Sequence, residues 1–281
     1  MIPISGCTRL AAVIGSPVTH TLSPALHNAG FSAADLDWVY VAFDVAPGDA
    51  VEALRAMRTL GIGGLSVTMP HKQDVADAVD ELDPAAAALH SVNTVQLLPD
   101  GRTKGYSTDG DGFVAALREL GHNPTGMRIV VLGAGAAARS VIDALGRADA
   151  ASIAVVNRTA PKARDAVKLA PMARLGTDVD LAGADLVVNA TSIGMAGVGG
   201  DVGALPFDVS VLRPRHIVAD LVYYPLETAL VKAARLAGAR VVDGLGMLVH
   251  QAALQQQIWT GHQPDPSVLR RAAEAELAAR G

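Results

Sequence analysis

Strand-length apolar runs recur along the whole chain, and each is followed by a stretch of helical character. "LAAVIG", "WVYVAFDV" and "GGLSVT" come first, separated by helical stretches that begin near Ser23-Pro24 and near Pro47. A strand, helix, strand, helix opening calls for a mainly parallel sheet, because parallel neighbours need a crossover long enough to be a helix. Pro24 and Pro47 suit a first helical turn, where the missing N–H costs nothing. "SVNTVQLLPDGRTKGYST" interrupts the alternation and reads as a hairpin, with "PDGR" as its turn.

A helical pattern runs from Asp109 to Gly121, and a second series of buried strands follows: "RIVVLG", "SIAVVNR", "ADLVVNAT", "HIVADLV" and "ARVVDG". Helical segments at regular intervals between them predict a doubly wound sheet. After Gly246 the chain reads as two helices with no strand left to pair, so they are expected to pack back on the first unit. The expected fold is α/β with two α/β domains. Residues 1–110 plus 244–281 make a first unit with an N-terminal, mainly parallel sheet, and residues 111–243 a Rossmann-type unit.

Composition narrows the partners. The 281 residues carry a net charge of −5 with both signs interspersed, so neither a nucleic-acid stripe nor a polybasic membrane patch is expected. Small molecules are the expected ligands. A single cysteine, Cys7, excludes an intramolecular disulfide framework and favours a reducing compartment. "ISGC" at its site lacks the charged segment and apolar run of a lipoprotein signal. No apolar run reaches the roughly 18–20 residues of a spanning helix. A cytoplasmic protein is the expectation. The eight histidines fall in no H-x-x-x-H or H-E-x-x-H spacing, so no metal is expected. The apolar helix "MLVHQAALQQQIW" suits a domain seam or a dimer interface equally, leaving monomer or homodimer open.

"IVVLGAGAAARS" is a strand, a glycine turn and a helix start, in which Gly133, Gly135 and Ala138 fill the G-x-G-x-x-G/A dinucleotide fingerprint. Gly133 permits the tight turn, Gly135 lets backbone approach a pyrophosphate, and Ala134, Ala136 and Ala137 complete a loop that opens on a helix N-terminus. The next strand ends in "VVNRT". Where an NAD site places an acid to bind the ribose 2'-hydroxyl, this chain has neutral Asn157 followed by Arg158. A guanidinium fork suits a 2'-phosphate, and Thr159 and Lys162 add a hydroxyl and a second cation, so NADP(H) is the expected cofactor. "NATSIGM", with Thr191 and Ser192, leaves another strand where the nicotinamide half would lie.

Five polar clusters remain: "HTLSP", "SVTMPHK", "SVNT", "GYSTDG" and "DGLGMLVHQ". Each sits at a strand end, a turn or a helix start, and together they supply hydroxyls, amides, an amine and a carboxylate. That is the inventory of a site for a polyhydroxylated anion. Taken singly, Ser23 or Asp109 could be no more than a helix cap.

From "VIGSPVTHTLSP" to "DGLGMLVHQAA" these motifs, in this order, resemble the shikimate dehydrogenases, NADP-linked enzymes that reduce 3-dehydroshikimate to shikimate in aromatic amino-acid biosynthesis. The resemblance implies that Thr21 and Ser23 bind the substrate carboxylate. It implies that Thr68, Lys72, Asn93 and Asp109 bind the ring hydroxyls, with Lys72 and Asp109 the catalytic pair. Gln251 and Tyr223 become further substrate contacts, and Gly244 and Met247 lie by the nicotinamide. Ketone reduction leaves charge on oxygen, which an ammonium can stabilise or protonate, while Asp109 would orient Lys72. Thr21 stands where serine is commoner in the family and Lys162 where arginine is commoner, so the pocket is narrowed and one phosphate contact is a point charge. Two alternatives are a quinate or aminoshikimate paralogue and, from another class, a non-catalytic dinucleotide sensor.

Overall fold

The structure is a computed structural model that describes residues 3–196 and 200–280. The first elements along the chain are β1 (Arg9–Gly15), α1 (Ser23–Ala33), β2 (Trp38–Asp44), α2 (Ala50–Leu60), β3 (Gly64–Val67), α3 (Lys72–Ala78), β4 (Glu81–Leu82), α4 (Pro84–Leu89), β5 (Thr94–Leu97) and β6 (Thr103–Tyr106). Next come α5 (Asp109–Glu119), β7 (Arg128–Leu132), α6 (Ala136–Arg147), β8 (Ser152–Val156), α7 (Ala160–Ala166), β9 (Ala173–Leu175) and α8 (Val179–Gly183). The chain closes with β10 (Leu186–Asn189), β11 (Ile217–Asp220), α9 (Ala229–Leu236), β12 (Arg240–Val242), α10 (Gly244–Thr260) and α11 (Pro266–Ala279). They form two units, Met1–Thr108 with Val249–Gly281, and Asp109–Leu248.

In the first unit the strand order is β2-β1-β3-β5-β6-β4. β1 runs parallel to β2 and β3, whereas β5 is antiparallel to β3 and β6, which the hairpin dictates. Alternate residues of β1 serve opposite faces. Ala12 and Ile14 pack with Leu54, Met57 and Val75 under α2 and α3, while Ala11 and Val13 pack with Phe31, Tyr40 and Trp259. α11 lies on α1, as expected for the chain's last helix. Its Asp265 caps the start by accepting from Ser267 N at 2.9 Å, with Pro266 at the first helical position. α2 opens three residues later than Pro47 suggests, because Gly48 turns the backbone to φ +98° and Asp49 N closes a turn on Ala46 O at 3.1 Å.

The second unit has the order β12-β11-β10-β7-β8-β9 with every pair parallel. This is the doubly wound arrangement, with its switch point between β7 and β10, where ligands bind beyond the strands' carboxyl ends. Both faces are covered. Ile129 and Val131 point to one cluster with Val141 and Leu145, and Val130 and Leu132 point to the other with Leu230 and Phe207. Such double burial is why these strands read as unbroken apolar runs. β4 and β9 were not evident in the sequence.

Candidate functional site

At the switch point of the second unit, β7 hands over to Gly133 at φ +110°, a conformation that L side chains rarely adopt. A Cβ there would stand 2.8 Å from the Ala190 carbonyl, so the loops after β7 and β10 touch at this glycine. Ala134 is buried beside it. Gly135 occupies the N-cap of α6 without a side-chain capping bond, and nothing lies within 4 Å of where its Cβ would be. The first N–H groups of a twelve-residue helix, Ala136 and Ala137 among its opening residues, therefore face open space with their dipole end outward. That fits a pyrophosphate.

One strand over, Asn157 Nδ2 donates to Thr159 O at 2.9 Å and closes the turn after β8. Arg158, Thr159 and Lys162 are exposed around the start of α7, and Thr159 makes no side-chain cap. Among the described residues neither Arg158 nor Lys162 has an ion-pair partner. Two unneutralised cations and no carboxylate at this strand end fit a ribose phosphate.

The loop after β10 is held by a residue that the sequence reading quoted in a motif but gave no role. Asn189 is buried, and its Oδ1 accepts from Thr191 N at 3.2 Å and Thr191 Oγ1 at 2.7 Å. Its Nδ2 donates to Asp220 Oδ1 at 2.9 Å. Asp220 also accepts from Val222 N at 3.1 Å and Thr228 Oγ1 at 2.6 Å. Burial pushes the Asp220 carboxyl above the usual range, a rise that its hydrogen bonds oppose. Thr191 and Ser192 on one loop and Tyr223 on the next are thus positioned through one carboxyl group. Gly244 starts α10 against that second loop, since a Cβ would stand 2.3 Å from Val222 O, and Met247 packs on the unit's core. Asp109 opens α5, nearly buried, and the adjacent Gly110 leaves no room for a side chain, its Cβ position lying 2.1 Å from Ser140 O.

In the first unit the polar residues gather at the carboxyl ends of β1 and β3 and the start of β5. Ser23 lies inside the first turn of α1 and does not cap it. Thr21 Oγ1 donates to Ser23 Oγ at 3.1 Å, and the loop they share is held from behind by Arg280, whose guanidinium donates to His20 O and Thr21 O at 2.6 and 2.9 Å. Thr68 is half-buried and needs Gly15 as a neighbour, because a Cβ on residue 15 would stand 2.3 Å from its Cγ2. Lys72 is the first residue of α3, half-buried. His71 before it is fully buried and bonds Val45 O at 2.8 Å through Nε2, anchoring the helix start. The Lys72 carbonyl accepts from Val92 N at 2.9 Å, which sets the helix beside Asn93.

Asn93, 3 % exposed, accepts at Oδ1 from Thr108 N at 2.9 Å and Thr94 Oγ1 at 2.8 Å, and donates through Nδ2 to Thr108 Oγ1 at 3.0 Å. Thr108 Oγ1 in turn reaches Gln251 O at 3.4 Å. Thr21, Ser23, Thr68, Lys72, Asn93 and Gln251, dispersed over most of the sequence, thereby share one end of one sheet. The sequence reading missed Tyr40, Ser66, His27 and Gln255, which form a buried polar web behind them. Gln255 stands one helical turn after Gln251, and that i, i+4 spacing was the available signal.

Fold and site define the class, an α/β dinucleotide-dependent oxidoreductase whose second unit carries a cofactor loop and whose first carries a hydroxyl- and amide-rich site with one ammonium. Comparison with known proteins narrows this. Residues 13–95 match the shikimate dehydrogenase substrate binding domain, 115–195 the shikimate / quinate 5-dehydrogenase family and 244–274 the shikimate 5'-dehydrogenase C-terminal domain. The shikimate dehydrogenase (NADP(+)) of Rubrobacter xylanophilus is 43% identical, over 97% of this chain and 98% of its own. That of Geobacter metallireducens is 40% identical, over 98% and 99%. Shikimate 5-dehydrogenase from Thermus thermophilus, solved in complex with NADP(H) and shikimate, superposes with a TM-score of 0.89 at 34% identity, covering 95% of this chain and 99% of its own. The chain belongs to the shikimate dehydrogenase family.

Proposed function

We propose that this chain is an NADP-dependent shikimate dehydrogenase, reversibly reducing 3-dehydroshikimate to shikimate on the route to chorismate and the aromatic amino acids, as a cytoplasmic monomer or homodimer. The observation that carries the reading is the gathering of Lys72 with the hydroxyls and amides of Thr21, Ser23, Thr68, Asn93 and Gln251 at one sheet end. In this reading residues 1–110 with 244–281 bind substrate and residues 111–243 bind NADP(H). The cofactor, when bound, supplies the hydride.

Thr21 and Ser23 donate to the substrate carboxylate through two hydroxyls, without a buried countercharge. Asn93, Thr68 and Gln251 hold ring hydroxyls and orient the ring. Lys72 gives a proton to the oxygen on which charge develops, and takes one from the hydroxyl in the reverse direction. Asp109 accepts a hydrogen bond from a ring hydroxyl and steadies the proton donor, and Tyr223 is a further ring contact. Gly133 to Ala137 take the pyrophosphate, and Asn157, Arg158, Thr159 and Lys162 the 2'-phosphate side. Thr191, Ser192, Gly244 and Met247 border the nicotinamide. The test offers shikimate and quinate with NADP and NAD in all four pairings and follows reduced-nicotinamide absorbance. A clear preference for shikimate with NADP is expected. Competition by quinate or NAD would assign the chain to a quinate or aminoshikimate paralogue, and cofactor binding without turnover would overturn the enzyme itself.

A further inference from the structure

The segment from β1 into the first turn of α1, residues 16–23, carries the two hydroxyls read as carboxylate ligands, and it is fastened on two sides. From within, Val18 and Leu22 are buried, Val18 among Phe31, Tyr40 and Trp259, and Ser16 N donates to Met69 O at 2.9 Å. Thr21 N closes a turn on Val18 O at 3.0 Å. Pro17, Thr19 and His20 are exposed. A side chain from the other end of the unit meets this outer part. Arg280, the C-cap of α11, donates through Nη1 to His20 O at 2.6 Å and through Nη2 to Thr21 O at 2.9 Å. One planar guanidinium thereby fixes two consecutive peptide groups.

Arg280 is itself held in place. Glu276, one turn earlier on α11, accepts from Arg280 Nε at 3.0 Å and pairs with Nη2 at 2.9 Å, which orients the guanidinium plane. α11 is seated by Leu269 and Ala273, both fully buried, and packs on α1. The Arg280–Glu276 pair carries no net charge, so what it supplies to the loop is geometry. That geometry reaches both hydroxyls, because Thr21 and Ser23 are tied to each other. Ser23 N donates to Thr21 Oγ1 at 3.2 Å, and Thr21 Oγ1 donates to Ser23 Oγ at 3.1 Å. A shift of the Thr21 backbone moves the two together.

We propose that Arg280 is a positioning residue for the substrate carboxylate: through the His20 and Thr21 carbonyls it sets where the Thr21 and Ser23 hydroxyls stand. This rests on the reading that those hydroxyls bind the carboxylate. The test is steady-state shikimate oxidation by Arg280→Met, Arg280→Lys, Thr21→Val, Ser23→Ala and the Arg280→Met, Thr21→Val double variant, with thermal unfolding recorded for each. Arg280→Met keeps an apolar stem and removes both carbonyl bonds. It is expected to raise KM for shikimate roughly five- to tenfold, with kcat and KM for NADP little changed. Arg280→Lys returns a cationic donor without the fork and is expected to recover part of that rise. In the double variant the rise should fall short of the product of the single effects, because Arg280 acts through Thr21. An unchanged KM in Arg280→Met, with or without a lowered unfolding midpoint, would overturn the inference alone, provided Thr21→Val or Ser23→Ala raises KM. Multiplying effects in the double variant, or no recovery in Arg280→Lys, would do the same. An unchanged KM in both Thr21→Val and Ser23→Ala would overturn the carboxylate assignment and this inference with it. Should Arg280→Met not fold, Arg280→Lys takes its place in the same cycle, and the same comparison of KM effects decides.

Discussion

Arg158 and Lys162 are exposed cations with no ion-pair partner among the described residues, on a strand end where a carboxylate would mark an NAD enzyme. Charge-assisted bonds to a phosphate contribute about 1.5–3 kcal/mol each, which corresponds to roughly 10- to 100-fold in affinity. Arg158→Gln is therefore expected to raise KM for NADP within that range while leaving KM for NAD nearly unchanged. Equal losses for both cofactors would mean that Arg158 shapes the loop and not the phosphate site. Lys72 calls for a different readout. Its stem is half-buried at the start of α3, so Lys72→Met keeps much of the packing and removes the proton. Loss of general acid catalysis predicts a fall in kcat of about 10²- to 10⁴-fold, with the shikimate dissociation constant, measured by equilibrium titration, changing far less. A variant that loses affinity but keeps kcat would make Lys72 a binding residue only.

Elements were legible in proportion to how much apolar surface they bury. β7, β8, β10 and β11 are covered on both faces and stood out, whereas β4, with two residues, and β9, with three and an exposed Leu175, bury too little to leave a pattern. The candidate site divides the same way. Loop motifs at strand ends could be read because glycine, proline and polar residues break an apolar pattern there, as at Gly133 and Lys72. The web behind them could not be read. His27 and Gln255 lie 228 residues apart, and each looks ordinary within its own helix. Packing of β3 against α10 shows the same dependence on distant contacts. A Cβ on Gly64 would lie 2.4 Å from the Trp259 ring, and that indole is fixed by its bond to Val95 O at 3.0 Å. Gly64→Ala must push the ring or bend the strand, so it is expected to destabilise by about 1–3 kcal/mol in urea unfolding. Gly183→Ala, with nothing within 4 Å of the added carbon, should be nearly neutral in the same experiment. Similar midpoints for the two variants would show that the Trp259 contact gives way without cost.

For the whole molecule, the buried polar groups set how stability responds to acid. His27 is fully buried among Tyr40, Phe31, Trp259, Gln255 and Gln256, with no charged group bonded to it among the described residues, and desolvation lowers its pKa to about 3 against a Gln255 hydrogen bond that works the other way. The folded chain keeps the ring neutral where the unfolded chain protonates it below its ordinary 6.5. Between those values the unfolded state binds the extra proton, so stability falls as pH falls, by about 1.4 kcal/mol per pH unit at most. Asp220 has the opposite sign. Its raised pKa means that the folded state takes up a proton first, which adds stability on acidification above the ordinary carboxylate value. Asp80, Asp180 and Asp185, held low chiefly by their hydrogen bonds, lose their contribution only once pH falls below that value. Acid should therefore act through His27, in the first unit, and through His122 and His216, in the second, whose pKa values burial also lowers, before the paired carboxylates respond, and the His27 share falls between about pH 6.5 and 4.5. Urea unfolding of the wild type across that window is expected to lose on the order of 2–3 kcal/mol that His27→Gln does not lose. Parallel pH slopes for wild type and His27→Gln would place the acid sensitivity elsewhere in the molecule.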